Sequence, residues 1–410
     1  MDDRDDRTNI APLFLRNGGC PGRCIYCSER LTDPEDAGCA PDASLVRETV
    51  IRDLGRSRRK APVQIAFYGG SFTGLAPARR DAYLRAAGAC IEEGLAVSIR
   101  ISARPDQIDG PVLERLAAGG VATVEIGAES MDDEILARAR RGHTAADVVR
   151  AIGLLRRGGF ETGIHLMAGL PGDSYERFAA SVDRVIDLEP DTVRIHPTLV
   201  LAETELAGMY ERGEYEPLSL PEAVRRCAAA RLRFEAAGIR VVRLGLQATA
   251  ALERPGAVVA GPFHPSFGAL VQAEIFRRMA SSLLAARGGG IDSALFRVSD
   301  RDVSSFRGIR NANIRLLKEG FGLRDLTVRG EAGRERGSLA LEAAGNAVLG
   351  FTFTANAKTL SASDYTRYVC FTASNQTATA TLTVPLTKRL FLMYNGNATH
   401  DIIVGGATGT

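Results

Sequence analysis

The feature that most constrains the fold is a regular alternation of short β-rich runs with helical patterns, from about residue 11 to residue 284. The strand candidates are nearly all apolar, as expected where both faces of a strand are covered. Strands that alternate with helices in this way form parallel sheets, because each helix returns the chain to the start of the next strand. Six candidates follow this pattern, at residues 13–16, 63–68, 96–102, 122–126, 162–168 and 192–200.

Helical patterns separate these strands at residues 43–54, 78–93, 110–118, 145–157 and 175–187. Six such units are more natural in a barrel or partial barrel than in a small open sheet. The sequence therefore predicts an α/β fold built on a partial (β/α)6 TIM-like barrel. In barrels of this kind the chemistry gathers in the loops at the carboxyl ends of the strands.

The length of 410 residues exceeds what one compact core usually holds, so we expect several domains. Residues 10–205 are predicted to form the core barrel and residues 206–286 a C-terminal α/β extension. A glycine-rich hinge at 287–290 then precedes a small α/β module at 291–344. From residue 345 Glu disappears and Thr and Asn become frequent, which indicates a separate β-rich tail at 345–410. The sequence leaves two origins open for this tail, a phage-tail-like module and a fusion.

Composition indicates the cellular compartment of the protein and the classes of partner that are not expected. The amino terminus is acidic and polar, and the longest apolar runs are well short of the roughly 20 residues of a membrane span, so we expect no membrane partner. Seven cysteines, four of them isolated, favour a reducing, cytoplasmic compartment over a disulfide framework. The 51 basic and 49 acidic residues nearly cancel, so no whole-molecule field attracts nucleic acid.

Three cysteines lie close together in the segment GGCPGRCIYCS, directly after the first predicted strand: Cys20, Cys24 and Cys27. A structural zinc site needs four ligands, and the chain offers no partner pair for these three. A disulfide would leave one thiol over. Three thiolates on one loop suit a [4Fe-4S] cluster whose fourth iron stays open to a small molecule. We therefore predict an iron-sulfur site at these cysteines, with zinc and a disulfide as weaker alternatives.

The CxxxCxxC spacing, with Tyr26 just before the third cysteine, resembles the hallmark of the radical S-adenosylmethionine (SAM) enzymes. The resemblance implies that Cys20, Cys24 and Cys27 ligate three irons, while the amino and carboxyl groups of SAM chelate the fourth. It also implies that an electron from the cluster cleaves SAM into methionine and a 5'-deoxyadenosyl radical, which takes hydrogen from a substrate. A reductant such as ferredoxin or flavodoxin is the implied donor of that electron.

Further motifs resemble the SAM-binding segments of that superfamily. FYGGSF ends the second predicted strand in two glycines, where the lack of a side chain lets backbone groups approach a ligand. ARARRGHT carries an arginine whose fork of N–H groups suits a carboxylate. The resemblance assigns the methionine amino group to Gly69, Gly70 and Ser71, the ribose side to Ser102, Arg104 and Glu129, the SAM carboxylate to Arg141, and the adenine pocket to His165 and Met167.

Taken together, FYGGSFTGL, ISARPDQID, VEIGAES with RRGHT, and HLMAGLPGD resemble one branch, the relatives of the catalytic subunit of Elongator, over residues 10–276. That family modifies the wobble uridine of tRNA with acetyl-CoA. No acetyltransferase domain is recognisable after the extension, as in stand-alone bacterial members of the branch. The resemblance thus implies a radical SAM enzyme with a tRNA base as a candidate substrate. The alternatives are a small-metabolite enzyme similar to coproporphyrinogen dehydrogenase and a non-catalytic iron-sulfur binding protein.

Overall fold

A computed structural model of the chain describes residues 8–22, 24–28, 31, 42–56, 61–286 and 291–343. Residues 16, 17, 343, 347–351, 367–375, 378–386, 390–392 and 404–406 are described in backbone alone, and the predicted hinge at 287–290 lies outside the described residues. The chain divides into two compact units, Met1–Phe234 with Ile239–Phe267, and Glu235–Gly238 with Gly268–Thr410. The domain boundaries drawn from the sequence stay predictions.

The first unit is built on a parallel sheet of seven strands that curls into a half-barrel, which confirms the predicted fold class. Its order in space, β1-β2-β3-β4-β5-β6-β8, follows the order in the chain, and the seventh strand comes from the segment predicted as the extension. β7 and β9 form a separate antiparallel ladder. The strands are β1 (Asn9–Gly18), β2 (Val63–Gly70), β3 (Ser98–Ala103), β4 (Val121–Glu129), β5 (Glu161–Ala168), β6 (Thr192–Pro197), β7 (Val200–Leu201), β8 (Arg240–Leu244) and β9 (Val258–Ala260).

Helices in the connections cover the outer face of this sheet. Several begin at a residue whose side chain accepts a hydrogen bond from the backbone N–H three residues later, namely Asp109, Thr144 and Ser174. Among the described residues no helix has the length and apolar character needed to cross a bilayer. The helices are α1 (Val46–Arg56), α2 (Pro77–Glu92), α3 (Gly110–Ala118), α4 (Asp133–Arg138), α5 (Ala145–Arg157), α6 (Tyr175–Asp187), α7 (Glu205–Glu211) and α8 (Leu220–Ala236).

The two faces of the half-barrel differ in polarity. On β3, Ile99 and Ile101 are completely buried, whereas Ser98, Arg100 and Ser102 alternate with them and are half-buried. The strands are thus less uniformly apolar than the sequence pattern indicates. An open half-barrel leaves its inner face accessible to water and ligands, so charged side chains are tolerated there. The inner face therefore offers room for chemistry as well as for packing.

The second unit contains a six-stranded sheet in the order β11-β10-β12-β13-β14-β15, which confirms a β-rich C-terminal region. Phe296 and Phe306 pack at 5.0 Å between ring centroids, and Phe276 lies 6.1 Å from Phe306. Asn313 Nδ2 donates to the carbonyls of Ala273 and Phe306 at 2.8 Å. The elements are α9 (Phe267–Ala286), β10 (Ser293–Ser299), α10 (Val303–Arg307), α11 (Ala312–Phe321), β11 (Asp325–Glu331), β12 (Leu339–Ala343), β13 (Ala347–Phe351), β14 (Arg367–Asn375), β15 (Ala378–Leu386), and a separate ladder of β16 (Leu390–Leu392) and β17 (Val404–Gly406).

Candidate functional site

The loop that carries the three cysteines follows β1 at the carboxyl end of the sheet, as predicted from the strand order. Each of these cysteines is half-buried, and none is in a disulfide. The N–H of Cys27 donates to the carbonyl of Cys24 at 3.0 Å, which closes a turn. Between them, Ile25 donates to the carbonyl of Ala139 at 3.4 Å and accepts from the N–H of Leu206 at 2.9 Å. The loop is therefore held from two sides by the segment after α4 and the start of α7.

The start of this loop is fixed by Gly19, which has a φ of 75°. A Cβ on Gly19 would lie 2.1 Å from the carbonyl oxygen of Ser71, so only glycine fits. The Nε2 of Gln107 donates to the Gly19 carbonyl at 3.1 Å, and the N–H of Ser71 donates to the Gly18 carbonyl at 2.8 Å. The Ser71 hydroxyl donates to the Gln107 side chain and accepts from the Arg104 N–H at 3.0 Å. Ser71 thus joins these loops through its N–H and its hydroxyl, although the resemblance assigned this residue to SAM.

The other residues predicted for the SAM amino group and ribose lie at the carboxyl ends of neighbouring strands. Gly69 and Gly70 are the last two residues of β2, and Gly69 has a φ of 78°, a conformation that favours glycine. Ser102 is half-buried on β3. The Arg104 guanidinium donates to both carboxylate oxygens of Asp106, at 2.9 and 3.1 Å. The edge of the sheet therefore gathers these predicted residues next to the cysteine loop.

A buried charged group joins three of the predicted residues. The β4–β5 ladder shifts register between Gly127 and Glu129, and Glu129 has a φ of 65°, which is uncommon for a residue other than glycine. Arg141 is buried, and its Nη2 donates to the Gly127 carbonyl at 2.7 Å and lies 3.4 Å from Glu129 Oε1. Its Nη1 lies 3.0 Å from the Sγ of Cys24. The irregular end of β4 therefore brings a carboxylate and a guanidinium to a cysteine sulfur.

Electrostatics keep both members of this group charged. Burial by itself would raise the pKa of Glu129, but the neighbouring His165 and Arg141 hold that pKa at about 2. Burial opposes the charge on Arg141 as well, yet Tyr26, Glu129 and Cys24 together raise its pKa. At neutral pH the site therefore holds a carboxylate and a guanidinium in contact.

Several polar atoms around this pair have no hydrogen-bond partner within the part of the chain that the structure describes. They include the Nε2 atoms of His165 and His196 and the hydroxyl of Tyr26. The Nδ1 of His165 lies 3.2 Å from Glu129 Oε2, and its ring meets that of His196 edge-on at 4.3 Å between centroids. Tyr26 packs against an apolar cluster that includes Met167 of β5, and burial raises the pKa of Tyr26. Buried polar atoms normally find partners, so these are positioned to contact a ligand.

The three cysteines suit an iron-sulfur cluster better than a single metal ion. Within the described ranges, no three His, Cys, Asp or Glu side chains converge as a mononuclear site requires. In a [4Fe-4S] cluster each thiolate binds a different iron, so the three sulfurs lie further apart than the ligands of a single metal ion do. Cys20, Cys24 and Cys27 share one partly exposed loop, and the Arg141 guanidinium donates to one of the sulfurs. This donor set fits such a cluster, and hydrogen bonds to the sulfurs are among the features that tune it.

Two functional candidates were not predicted from the sequence. Gln107 connects the cysteine loop to the loop after β2, as described above. His143 is buried and its Nε2 lies 3.3 Å from the Ala128 carbonyl, while burial and the nearby Arg141 lower its pKa to about 4. Both lie in segments already singled out, ISARPDQID and RRGHT. Nothing in the sequence distinguishes them from their neighbours, because their importance depends on contacts between distant segments.

Comparison with known proteins gives a consistent result. The model of the radical SAM superfamily matches residues 15–185, and that of the radical SAM C-terminal domain matches residues 190–277. A tRNA uridine(34) acetyltransferase of Methanocaldococcus jannaschii is 36% identical over 131 residues, which are 31% of this chain and 24% of the relative. Its counterpart in Dehalococcoides mccartyi is 28% identical over 232 residues, covering 48% of this chain and 50% of the relative. The chain thus spans a quarter to a half of these curated relatives.

Among solved structures, Elp3 of the archaeon Methanocaldococcus infernus, with residues 1–46 deleted, matches with a TM-score of 0.53 and 23% identity. The match covers 66% of this chain and 63% of the other, and it supports the fold. Enzymes of the radical SAM class use a [4Fe-4S] cluster and SAM. The chain contains a radical SAM domain and a radical SAM C-terminal domain, and its matched segments are homologous to the radical SAM region of the tRNA uridine(34) acetyltransferases.

Proposed function

We propose that the protein is a radical SAM enzyme that modifies a base of tRNA. The observation that carries the proposal is the contact of Arg141 with both Cys24 and Glu129. SAM carries a carboxylate and two ribose hydroxyls. A guanidinium buried beside the cysteine loop binds the carboxylate, and a carboxylate buried there accepts hydrogen bonds from the hydroxyls. The unpartnered atoms of Tyr26 and His165 lie in the same region and add further polar contacts.

In this proposal Cys20, Cys24 and Cys27 hold the [4Fe-4S] cluster. When bound, cluster and SAM supply reductive cleavage of the sulfonium to methionine and a 5'-deoxyadenosyl radical. Arg141 orients the SAM carboxylate, and Glu129 accepts hydrogen bonds from the ribose hydroxyls.

The remaining predicted residues act by shape and position. Backbone groups of Gly69 and Gly70 approach the amino group of SAM, and His165 and Met167 line the adenine pocket. Ser71 acts as a positioning residue, because its N–H and hydroxyl already bind Gly18 and Gln107. Ser102 and Arg104 border the ribose side in the same proposal.

Enzymes of this superfamily require an electron donor. We propose a ferredoxin or a flavodoxin in that role and the cytoplasm as the compartment, in keeping with the cysteines of the loop, which form no disulfide. The proposal of tRNA as substrate is supported by the homologous relatives, whose name is tRNA uridine(34) acetyltransferase. Because the chain spans at most half of those relatives, acetyl transfer is not part of the proposal.

The first experiment measures SAM cleavage. Anaerobically reconstituted and reduced protein, supplied with SAM, is expected to release 5'-deoxyadenosine and methionine, quantified by liquid chromatography. Cys24→Ala is expected to abolish release, whereas Cys90→Ala, a buried cysteine on α2, serves as the matched control and retains it. A wild-type protein that binds a cluster and SAM but releases no 5'-deoxyadenosine would favour a non-catalytic iron-sulfur protein.

The second experiment tests the substrate. Bulk tRNA is expected to retard the protein in a low-salt gel and to be released as salt is raised, because phosphate contacts release counterions. Protein that cleaves SAM but ignores tRNA at low salt would contradict the RNA substrate and favour a small metabolite.

A further inference from the structure

The inner face of the half-barrel carries charged side chains that the proposed SAM site does not use. Arg100 on β3 donates to Gln64 Oε1 and to Glu125 Oε1, both at 2.6 Å. Arg194 on β6 lies 3.0 Å from the same Glu125 oxygen and donates to the Tyr68 hydroxyl at 2.6 Å. The Arg194 guanidinium also lies over the Tyr68 ring, 4.8 Å from its centroid. These contacts link strands β2, β3, β4 and β6 across the inside of the half-barrel.

A further arginine adds to this group from the edge strand. Arg243 on β8 is the register partner of Arg194 on β6. Its guanidinium donates to the amide oxygen of Gln247 at 2.8 Å, and no carboxylate pairs with it in the part of the chain that the structure describes. Burial and the positive charge of Arg194 lower the pKa of Arg243. The Nε of Arg194 is itself buried without a hydrogen-bond partner.

Positive charge therefore exceeds negative charge at this point. Arg100 and Arg194 share one buried carboxylate, that of Glu125, and no carboxylate pairs with Arg243 in the described residues. The next carboxylate, Glu161, lies 3.6 Å from Arg100 and is about a third exposed. Like charges held together in a half-buried site repel each other, and arginine does not lose its proton to relieve the repulsion. The arrangement gains stability when an anion from outside the protein occupies it.

We propose that Arg194, Arg243 and the Tyr68 hydroxyl form a binding site for an oxyanion, a carboxylate or a phosphate, carried by the substrate. Two guanidinium groups present forked N–H donors to such a group. The Tyr68 hydroxyl accepts its hydrogen bond from Arg194, so its own proton is oriented away from that donor. This inference rests on the proposed function in one respect, namely that the anion is part of the substrate.

The position of the site relative to the SAM residues supports this assignment. Arg194 and His196 are two residues apart on β6, so they share a face of the strand and lie about 6.6 Å apart along it. His196 contacts the His165 ring at the carboxyl end of the sheet. A molecule whose anion is held by Arg194 and Arg243 therefore reaches His196 if it extends about 6.6 Å toward the carboxyl end of β6.

The test is calorimetric titration of the reconstituted full-length protein with inorganic phosphate and, separately, with succinate, at low salt. Wild-type protein is expected to bind at least one of the two anions. Arg243→Gln is expected to weaken that binding about tenfold or more, because it removes one charged donor, and Arg243→Lys to restore part of it. The matched control is Arg240→Gln, a change at an exposed arginine of the same strand that lies 3.7 Å from Glu161, and it is expected to bind as wild type does.

The two anions distinguish the source of the charge. Preference for phosphate supports a phosphorylated substrate, and preference for succinate supports a carboxylate. The inference is overturned if wild type binds neither anion, or if Arg243→Gln binds as tightly as Arg240→Gln. If Arg243→Gln does not fold, Arg243→Lys decides instead: weaker anion binding than by Arg240→Gln supports the inference, and equal binding overturns it. Wild type that binds phosphate but cleaves no SAM would keep this inference and overturn the proposed function.

Discussion

Replacing Glu129 by glutamine tests whether the buried carboxylate that contacts His165 and Arg141 has the electrostatic importance that its geometry implies. Holding the pKa of Glu129 at about 2, compared with an ordinary value near 4.5, corresponds to about 3 kcal/mol of folding free energy. Because the folded pKa is the lower one, this stabilisation is complete above about pH 4.5 and is lost as the pH falls toward 2. Glutamine keeps the shape and the backbone conformation but cannot carry the charge.

The assay is urea unfolding of cluster-free protein, followed by circular dichroism. Glu129→Gln is expected to lower the free energy of unfolding by about 3 kcal/mol at pH 7 and by about half as much at pH 3. The matched control is Glu134→Gln on α4, whose exposed carboxylate pairs with Arg138 and Arg177, and it is expected to change stability little. A difference below about 1 kcal/mol at pH 7, or one of equal size at pH 3, would show that the charge of Glu129 does not stabilise the fold.

Three further outcomes are expected. Gly19→Ala, whose Cβ would lie 2.1 Å from the Ser71 carbonyl oxygen, should prevent iron incorporation measured by absorbance and metal analysis, whereas Gly22→Ala, with open space around it, should not. Ile101→Ala, at a completely buried position of β3, should lower the free energy of unfolding by about 2–5 kcal/mol in urea denaturation. The pKa of His143, about 4 when folded, predicts a loss of stability as the pH falls from 6.5 to 4, and His143→Gln should flatten that part of the profile; an unchanged profile would contradict the assignment.

Most helices were predictable from the sequence to within a residue or two. Helices α3, α5 and α6 have the predicted bounds, because a capping side chain marks each start. Strand ends were predicted less well. The prediction for β1 began at residue 13, but the strand begins at Asn9, since pairing with β2 extends it through Pro12. An edge strand tolerates proline because its N–H need not join a ladder.

The predicted strand at 192–200 is interrupted in the structure. β6 ends at Pro197, and the N–H of Thr198 donates to the Ala168 carbonyl at 2.9 Å before β7 begins at Val200. An apolar run by itself does not show which neighbour each residue pairs with. The strand with which each residue pairs is determined by the folded sheet. One continuous apolar run can therefore be divided between two ladders.

The cysteine spacing and the order of strands and helices were sufficient, from the sequence alone, to predict the superfamily, the cofactor class and the edge of the sheet where the site lies. The sequence does so because helix caps and ligand spacing are local properties. The tertiary structure decided the contacts: Arg141 reaches Cys24 across 117 residues of chain, and Arg194 and Arg243 share a face only because β8 joins the sheet. These contacts between distant residues depend on strand register and on the curl of the half-barrel, and no short stretch of sequence encodes either.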